Sequence, residues 1–452
     1  MLNILNKLAD EPGKNAKIDI MTEVKNSPMN GLFQKAMVAG LLSTTAYNIK
    51  KFDMPATYSG TRSLDTALDM LSELTERKVT GNAAQEWLTG LLSSLTADDA
   101  EVLARIIRKD FRAGFSESTV NKVWKGLIYD HPYQRGSGFS DKLLKKLKYP
   151  IFSQLKSDGL YSDTVVKVDD VTCFSRSGHI QSFPNPIRDA ALMKEAEENG
   201  EMVVMGEVLV RNEDGTIMGR SESNGYMNRD DRDNSRVFVA AWDMVPLKDW
   251  GPKGASKVPY SERFARLERF CKANPGIGIE LTEHRVCNNV QDVIDHFTEV
   301  RERGEEGTML KNPKMGWKDG TSTEMIKVKV VMEVELKLVG WYYGTPGTKN
   351  ETLVGGVNCM SGDDKIEVDV GTGISDKERE ELLTTLDGLI ANGQIVTVKC
   401  NGVTTSRSKP GLYSLFLPRL KEFRQDKFEA DSLEKIQEQE ASFTDALKLI
   451  GA

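Results

Sequence analysis

A change of hydrophobic period near Tyr149 divides this chain and limits what it can fold into. Up to about Tyr129 apolar residues recur at helical spacing, as in Leu64, Leu68 and Leu71 or Leu103, Ile106 and Ile107. Gly81 and Gly114, with polar neighbours, punctuate separate helices. An all-α bundle is therefore expected over residues 1–130. The stretch HPYQRGSGFSDK then opens a linker expected over residues 131–148. From Tyr149 the pattern turns to short β-rich runs, among them PIFSQL, DTVVKV, MVVMGEVLV, RVFVAAWDMV and MIKVKVVMEV. Helical stretches interrupt them near Pro186–Asn199, Tyr260–Ala273 and Val290–Arg303, so 149–333 is expected to form an α+β domain. Beyond Val334, strands such as LVGGVNCM, KIEVDVG and QIVTVKCNGV, with one helix over Asp376–Asn392, suit a small β-barrel over 334–452. From Lys427 the chain reads as a solvated helix or a frayed tail. With 452 residues, several domains are needed, because one hydrophobic core does not grow to that size.

Composition narrows the class. The chain is 39% hydrophobic and 28% charged, which is ordinary for a folded protein. Its five cysteines are odd in number and contain no C-x-x-C pair, which argues against a disulfide framework or a zinc site. No segment has the apolar length of a signal peptide or a membrane span, so a cytoplasmic protein with no membrane partner is expected. The net charge of −7 does not by itself suggest nucleic acid. Charge distribution matters more, because phosphate contacts are local and screened within about a Debye length. Acidic residues collect in 213–233 and in the tail, while lysine and arginine are dense from Arg105 to Lys148.

The chemistry centres on Gln154-Leu155-Lys156-Ser157-Asp158-Gly159, between two β-like runs. Alone, a K-x-D-G of this kind is a tight turn in which Gly159 supplies positive φ. Its company gives it weight: Ser175-Arg176-Ser177-Gly178, Gly206-Glu207, Trp242-Asp243, Glu305-Glu306-Gly307, Lys327-Val328-Lys329 and Arg424-Gln425-Asp426-Lys427 follow in order. Glu207 sits in an apolar strand, an unfavourable place for a carboxylate that neither pairs nor binds something. Lys327 and Lys329, two apart on a strand, share a face. Read singly, that K-x-K is a solvated strand face, Trp242 is core, and Glu306 is a turn residue.

In this order and strand context the motifs resemble those of the covalent nucleotidyltransferase superfamily of DNA ligases, RNA ligases and capping enzymes. The chain is most similar to the ATP-dependent DNA ligases, in particular those of the T-even bacteriophages. That similarity runs nearly end to end and includes VTGNAAQEWLTGLL, RKDFRAGFSESTVNKVWKGLI and LFLPRLKEFRQDK. It implies three domains: helical DNA-binding, nucleotidyltransferase and OB-fold.

The resemblance implies that Lys156 takes AMP from ATP and passes it to a nick's 5′-phosphate. Free lysine has a pKa of about 10.4, so Lys156 needs activation; Lys327, Lys329 and a bound metal are the candidates. Gln154, Leu155, Tyr161, Arg176, Glu207, Trp242, Lys327 and Lys329 would line the nucleotide site, with Trp242 against adenine. Glu207 and Glu306 would help hold Mg²⁺ or Mn²⁺, and Glu305 is an undecided neighbour. Arg176 would grip the 5′-phosphate. Arg424, Asp426 and Lys427 would orient pyrophosphate as leaving group. Arg112, Gly114, Ser116 and Lys122 would contact DNA, with Ser116 as an N-cap whose helix start could face a phosphate. The expected partner is nicked duplex DNA of any sequence, bound by a monomer in the host cytoplasm if the protein is viral. The family's K-x-D-G-x-Arg departs here to Tyr161, with Arg176 and Arg263 as candidate substitutes. An RNA ligase, a capping guanylyltransferase and a non-catalytic DNA-nick clamp are the alternatives.

Overall fold

The computed structural model describes the whole chain except residues 50, 51, 230, 347–349, 407, 408, 410 and 452. It divides into two compact units, residues 1–131 with 176–180, and residues 132–175 with 181–452.

The first unit is helical, with its longer helices at Leu2–Asp10, Lys14–Lys25, Asn30–Leu41, Gly81–Ser93 and Ala97–Ile107. Leu64 and Leu68, Leu103 and Ile106 all face inward, as their spacing predicts. They join Leu5, Phe33, Met37 and Leu88 in one core, where each fully buried large side chain contributes roughly 1.5–3 kcal/mol. Ser63 and Thr96 start their helices by accepting the N–H of Thr66 and of Asp99.

In the second unit, one sheet runs in the order Gln134–Gly138, Gly320–Lys329, Gly307–Lys311, Ile151–Leu155, His284–Cys287. A second runs Val171–Phe174, Leu160–Val166, Met202–Val210, Val237–Pro246, Ile279–Leu281. Pairing in both is antiparallel except at one edge of each. The side chains of Phe152, Met309 and Met325 from the first sheet pack with Val204, Val208 and Val239 from the second.

The expected linker is partly a strand. Gln134–Gly138 lies parallel to Gly320–Lys329, and Asp141–Leu144 is helical. One of the glycines that suggest a loop instead permits close approach. A Cβ at Gly136 would lie 2.9 Å from Met309 Cε and 3.1 Å from the Met325 carbonyl.

The third sheet is ordered Glu367–Val370, Val354–Met360, Met332–Tyr343, Ile395–Cys400, Arg419–Arg424. Where the strands suggest a closed barrel, no ladder joins the first and last of them among the described residues. The single helix expected over Asp376–Asn392 is two, Asp376–Leu382 and Leu386–Ala391. The expected tail is a helix, Leu433–Gly451, and it is not simply solvated: Leu433 and Ile436 are buried in the core.

Candidate active site

The strand Ile151–Leu155 lies inside its sheet, and two hydrogen bonds fix the chain where it leaves. The Leu155 N–H donates to the Glu283 carbonyl (2.8 Å) and the Lys156 N–H to the Gly307 carbonyl (2.9 Å). Met309 lies opposite both Gln154 and Lys327, and Gly307 opposite Lys329, so Lys156 and the two lysines belong to adjacent rows of the same sheet. Strand alternation turns Leu155 to the face opposite Gln154.

Glu306 collects two of these lysines. Its carboxylate is buried (4% exposed), with one oxygen paired to Lys156 Nζ and the other 3.2 Å from Lys329 Nζ. Gly307 follows because φ is +147° there and a Cβ would lie 2.3 Å from the Val328 carbonyl. Sequence reasoning placed cations near Lys156 but missed that its direct partner would be the candidate metal ligand.

Gly159 has a different reason from the one expected. It is not among the positive-φ residues. A Cβ there would lie 2.5 Å from the Val208 carbonyl and 2.8 Å from Glu207 Cγ, so the turn is pressed onto the second sheet. This contact brings Glu207 under the motif, where it accepts the Gly159 N–H (3.3 Å). Burial pushes the Glu207 carboxyl up to about 7, against the opposing pull of Lys156 and of that N–H.

Tyr161 pairs with Glu207 across the sheet and is packed by the rings of Tyr133 (4.8 Å) and Trp242 (5.9 Å). Its hydroxyl donates to Asp163 (2.7 Å), so that proton is not available to a ribose. Arg263 cannot replace an absent arginine here. It is buried, forms a bidentate pair with Asp243 (2.8 and 2.9 Å) and donates to the Met315 carbonyl. Another arginine, Arg220, reaches the motif, 3.0 Å from Asp158. No sequence signal marked it. Arg176 groups with the helical unit rather than with the residues around Lys156.

Gln154 is 1% exposed, yet neither its carboxamide oxygen nor its nitrogen makes a hydrogen bond. A buried amide without partners is costly, and a ligand that satisfies it recovers that cost. Lys311 is also buried, over the rings of Tyr260 (4.7 Å) and Trp242 (5.8 Å), and burial pushes its ammonium down to about 7. The reasoning that singled out Glu207 applies equally to a lysine ending the apolar run GTMLK, so Lys311 was legible and was passed over.

Arg424 and Asp426 form their own group at the end of the third sheet. The Arg424 guanidinium donates twice to Asp426 (2.8 Å each) and once to Glu335 (2.7 Å). The pairing with Arg424 holds the Asp426 carboxyl down at about 2. Lys427 is exposed beside them.

In the helical unit Arg112, Gly114, Ser116 and Lys122 are all exposed. Arg112 (φ +51°) and Gly114 (φ +60°) shape the turn, and Lys17 braces it by donating to the Ala113 carbonyl (2.6 Å). Ser116 occupies the N-cap position of the helix Glu117–Val123, but its hydroxyl meets that of Ser118 rather than a backbone N–H.

Comparison with known proteins gives the family. Residues 137–329 match the family model described as the ATP-dependent DNA ligase domain, and residues 5–125 match that of the DNA ligase N terminus. The DNA ligase of Enterobacteria phage T4 is 29% identical over 96% of this chain and 98% of its own. That of Methanothrix thermoacetophila is 25% identical over 92% of this chain and 85% of its own. The solved structure Pmar-Lig_PreS3 has the same fold, with a TM-score of 0.73 at 22% identity over 94% of this chain and 99% of that one. With both regions matched in order, the chain belongs to the ATP-dependent DNA ligases.

Proposed function

We propose that this enzyme seals nicks in duplex DNA through a covalent AMP on Lys156. The observation that carries the reading is a lysine at a strand end whose buried carboxylate partner is shared with a second lysine, beside an unsatisfied buried amide. In the first step Lys156 Nζ gives up its proton and forms a bond to the α-phosphorus of ATP; the bond to the β-phosphate oxygen breaks and pyrophosphate leaves. In the second step the 5′-phosphate oxygen of the nick takes AMP from Lys156. In the third the 3′-hydroxyl attacks the activated 5′-phosphate and AMP departs.

An ammonium has no lone pair, so Lys156 must lose a proton to water, and its pairing with Glu306 must open, before it attacks. Lys329, and Lys327 in the next row, offset negative charge that develops on the phosphates. Trp242 and Gln154 hold adenine, by ring contact and by the unsatisfied amide. Arg424, Asp426 and Lys427 orient the leaving pyrophosphate when their sheet approaches. We read that sheet, with the ribbon Val403–Thr405 and Tyr413–Leu415, as an OB-fold domain over 334–452. The preceding parts are read as a helical DNA-binding domain (1–130) and a nucleotidyltransferase domain (149–333).

Among the described residues no three His, Cys, Asp or Glu side chains form a ready-made metal cage. Mg²⁺ that arrives on triphosphate oxygens needs only one or two protein carboxylates and keeps its waters, which Glu306 and Glu207 fit. Such an ion would neutralise charge at the α-phosphate.

Arg112, Gly114, Ser116 and Lys122 bind the DNA backbone, because a sealing enzyme must accept any sequence. No described helix is long and apolar enough to cross a membrane, and we read the protein as a cytoplasmic monomer. The test is incubation with α-labelled ATP followed by location of the label. Wild type should carry AMP on Lys156 and Lys156→Ala should carry none; label retained by the variant would refute the assignment.

A further inference from the structure

The helix Val290–Glu302 ends just before Glu305-Glu306, and Arg301 in its last turn divides its guanidinium between two partners. Nη1 donates to the Glu305 carbonyl (2.7 Å) and Nη2 to Glu440 Oε1 (2.6 Å). The other Glu440 oxygen accepts the Val403 N–H (3.0 Å). Gly402 leaves room for this junction, since a Cβ there would fall 2.5 Å from Glu440 Oε1 and 2.7 Å from Arg301 Nη2. Glu440 belongs to the helix Leu433–Gly451, seated in the core by Leu433 and Ile436.

The bond to the Glu305 carbonyl reaches beyond the helix end. A peptide is planar, so fixing that carbonyl fixes the N–H of Glu306 in the same plane and restricts where its side chain can leave the backbone. On the other side, the Gly307 carbonyl is held by the Lys156 N–H. Glu306 is thus held directly through the peptide before it, with the next fixed carbonyl one residue further on at Gly307, and its carboxylate meets Lys156.

We propose that Arg301 is a positioning residue for the Glu306–Lys156 pair, and that Glu440, acting through Arg301, makes the last helix a determinant of AMP loading. This rests on the reading of Lys156 as the AMP acceptor. A purely structural helix stop would affect stability alone.

The test uses the full chain, with single-turnover labelling by α-labelled ATP over a range of ATP concentrations and thermal melting in parallel. Glu440→Gln and Arg301→Ala should each slow maximal loading by about fivefold or more, with the half-saturating ATP concentration unchanged, and the double variant should be no slower than the worse single. Arg301→Lys keeps a charge but not the fork; it should melt near wild type and still load slowly. If Arg301→Ala does not fold, Glu440→Gln and Arg301→Lys decide. Normal loading in these variants, additive losses, or losses that follow melting temperature in every variant would overturn the proposal. If wild type itself takes no label, the reading of Lys156 fails and this inference falls with it.

Discussion

Each oxygen of Glu306 answers one lysine, so losing Lys156 leaves the buried carboxylate still paired with Lys329. Lys156→Ala should therefore fold, whereas Glu306→Ala leaves two lysines without their common partner. Glu306→Ala is expected to reduce AMP loading at saturating Mg²⁺ far more than Glu305→Ala, measured by label transfer; equal losses would mean that the wrong glutamate has been assigned. Tyr161→Phe removes the donor to buried Asp163 and should cost about 1–3 kcal/mol in denaturant unfolding, with ATP dependence unaltered. Glu207 gives a pH signature. With the folded carboxyl raised to about 7, the unfolded chain ionises first as pH climbs from about 4.5, and native stability is lost until the folded group also ionises. Glu207→Gln should therefore gain stability relative to wild type across that window, by on the order of 3 kcal/mol at most at pH 8, and the gain should vanish near pH 4. Denaturation curves at several pH values would check this. Lys156, Glu207 and Glu306 were legible because ordered motifs and an ionisable group in an apolar strand are visible in one dimension. The Tyr161–Asp163 bond, two residues apart on one strand, was legible and was passed over; the Arg220–Asp158 contact was not legible, since it depends on which backbones meet.

Elements were legible where periodicity was long and failed where contact overrode composition. Gln134–Gly138 reads as a loop by its residues, yet one of them, Gly136, is what lets it lie against Met309 and Met325. Barrel closure was not legible for a related reason: strand propensity gives the number of strands but not whether the first meets the last, and no ladder joins them among the described residues. Gly40 shows the same rule inside a helix. Replacing an interior helical glycine by alanine ordinarily adds about 1 kcal/mol of stability. Here a Cβ would lie 2.4 Å from the Phe111 ring, so Gly40→Ala should lower the melting temperature instead.

Across the whole molecule, the two family regions cover residues 5–125 and 137–329, and the helical pattern that runs to about Tyr129 ends in the gap between them. Because the helical unit carries Arg112 and Lys122 whereas Lys156, Glu306 and Lys329 sit in the other, removing residues 1–130 should weaken binding to nicked DNA far more than it slows AMP loading. The salt dependence of binding should also become shallower, as fewer phosphate contacts release fewer counterions. An unchanged slope in a filter-binding titration would show that the helical unit touches no phosphates.

The parallel pairing of Gln134 with Gly320 has a consequence in time. During synthesis the ribosome delivers Lys156 long before the strand Gly320–Lys329, and closing so long a loop is slow because its entropy must be lost before the contacts form. A nascent or prematurely terminated chain ending before Gly320 would hold Lys156 but lack Lys329 and the strand that flanks Gly307–Lys311. Such fragments should remain unable to take AMP, so ATP is not consumed by chains that could never finish a seal.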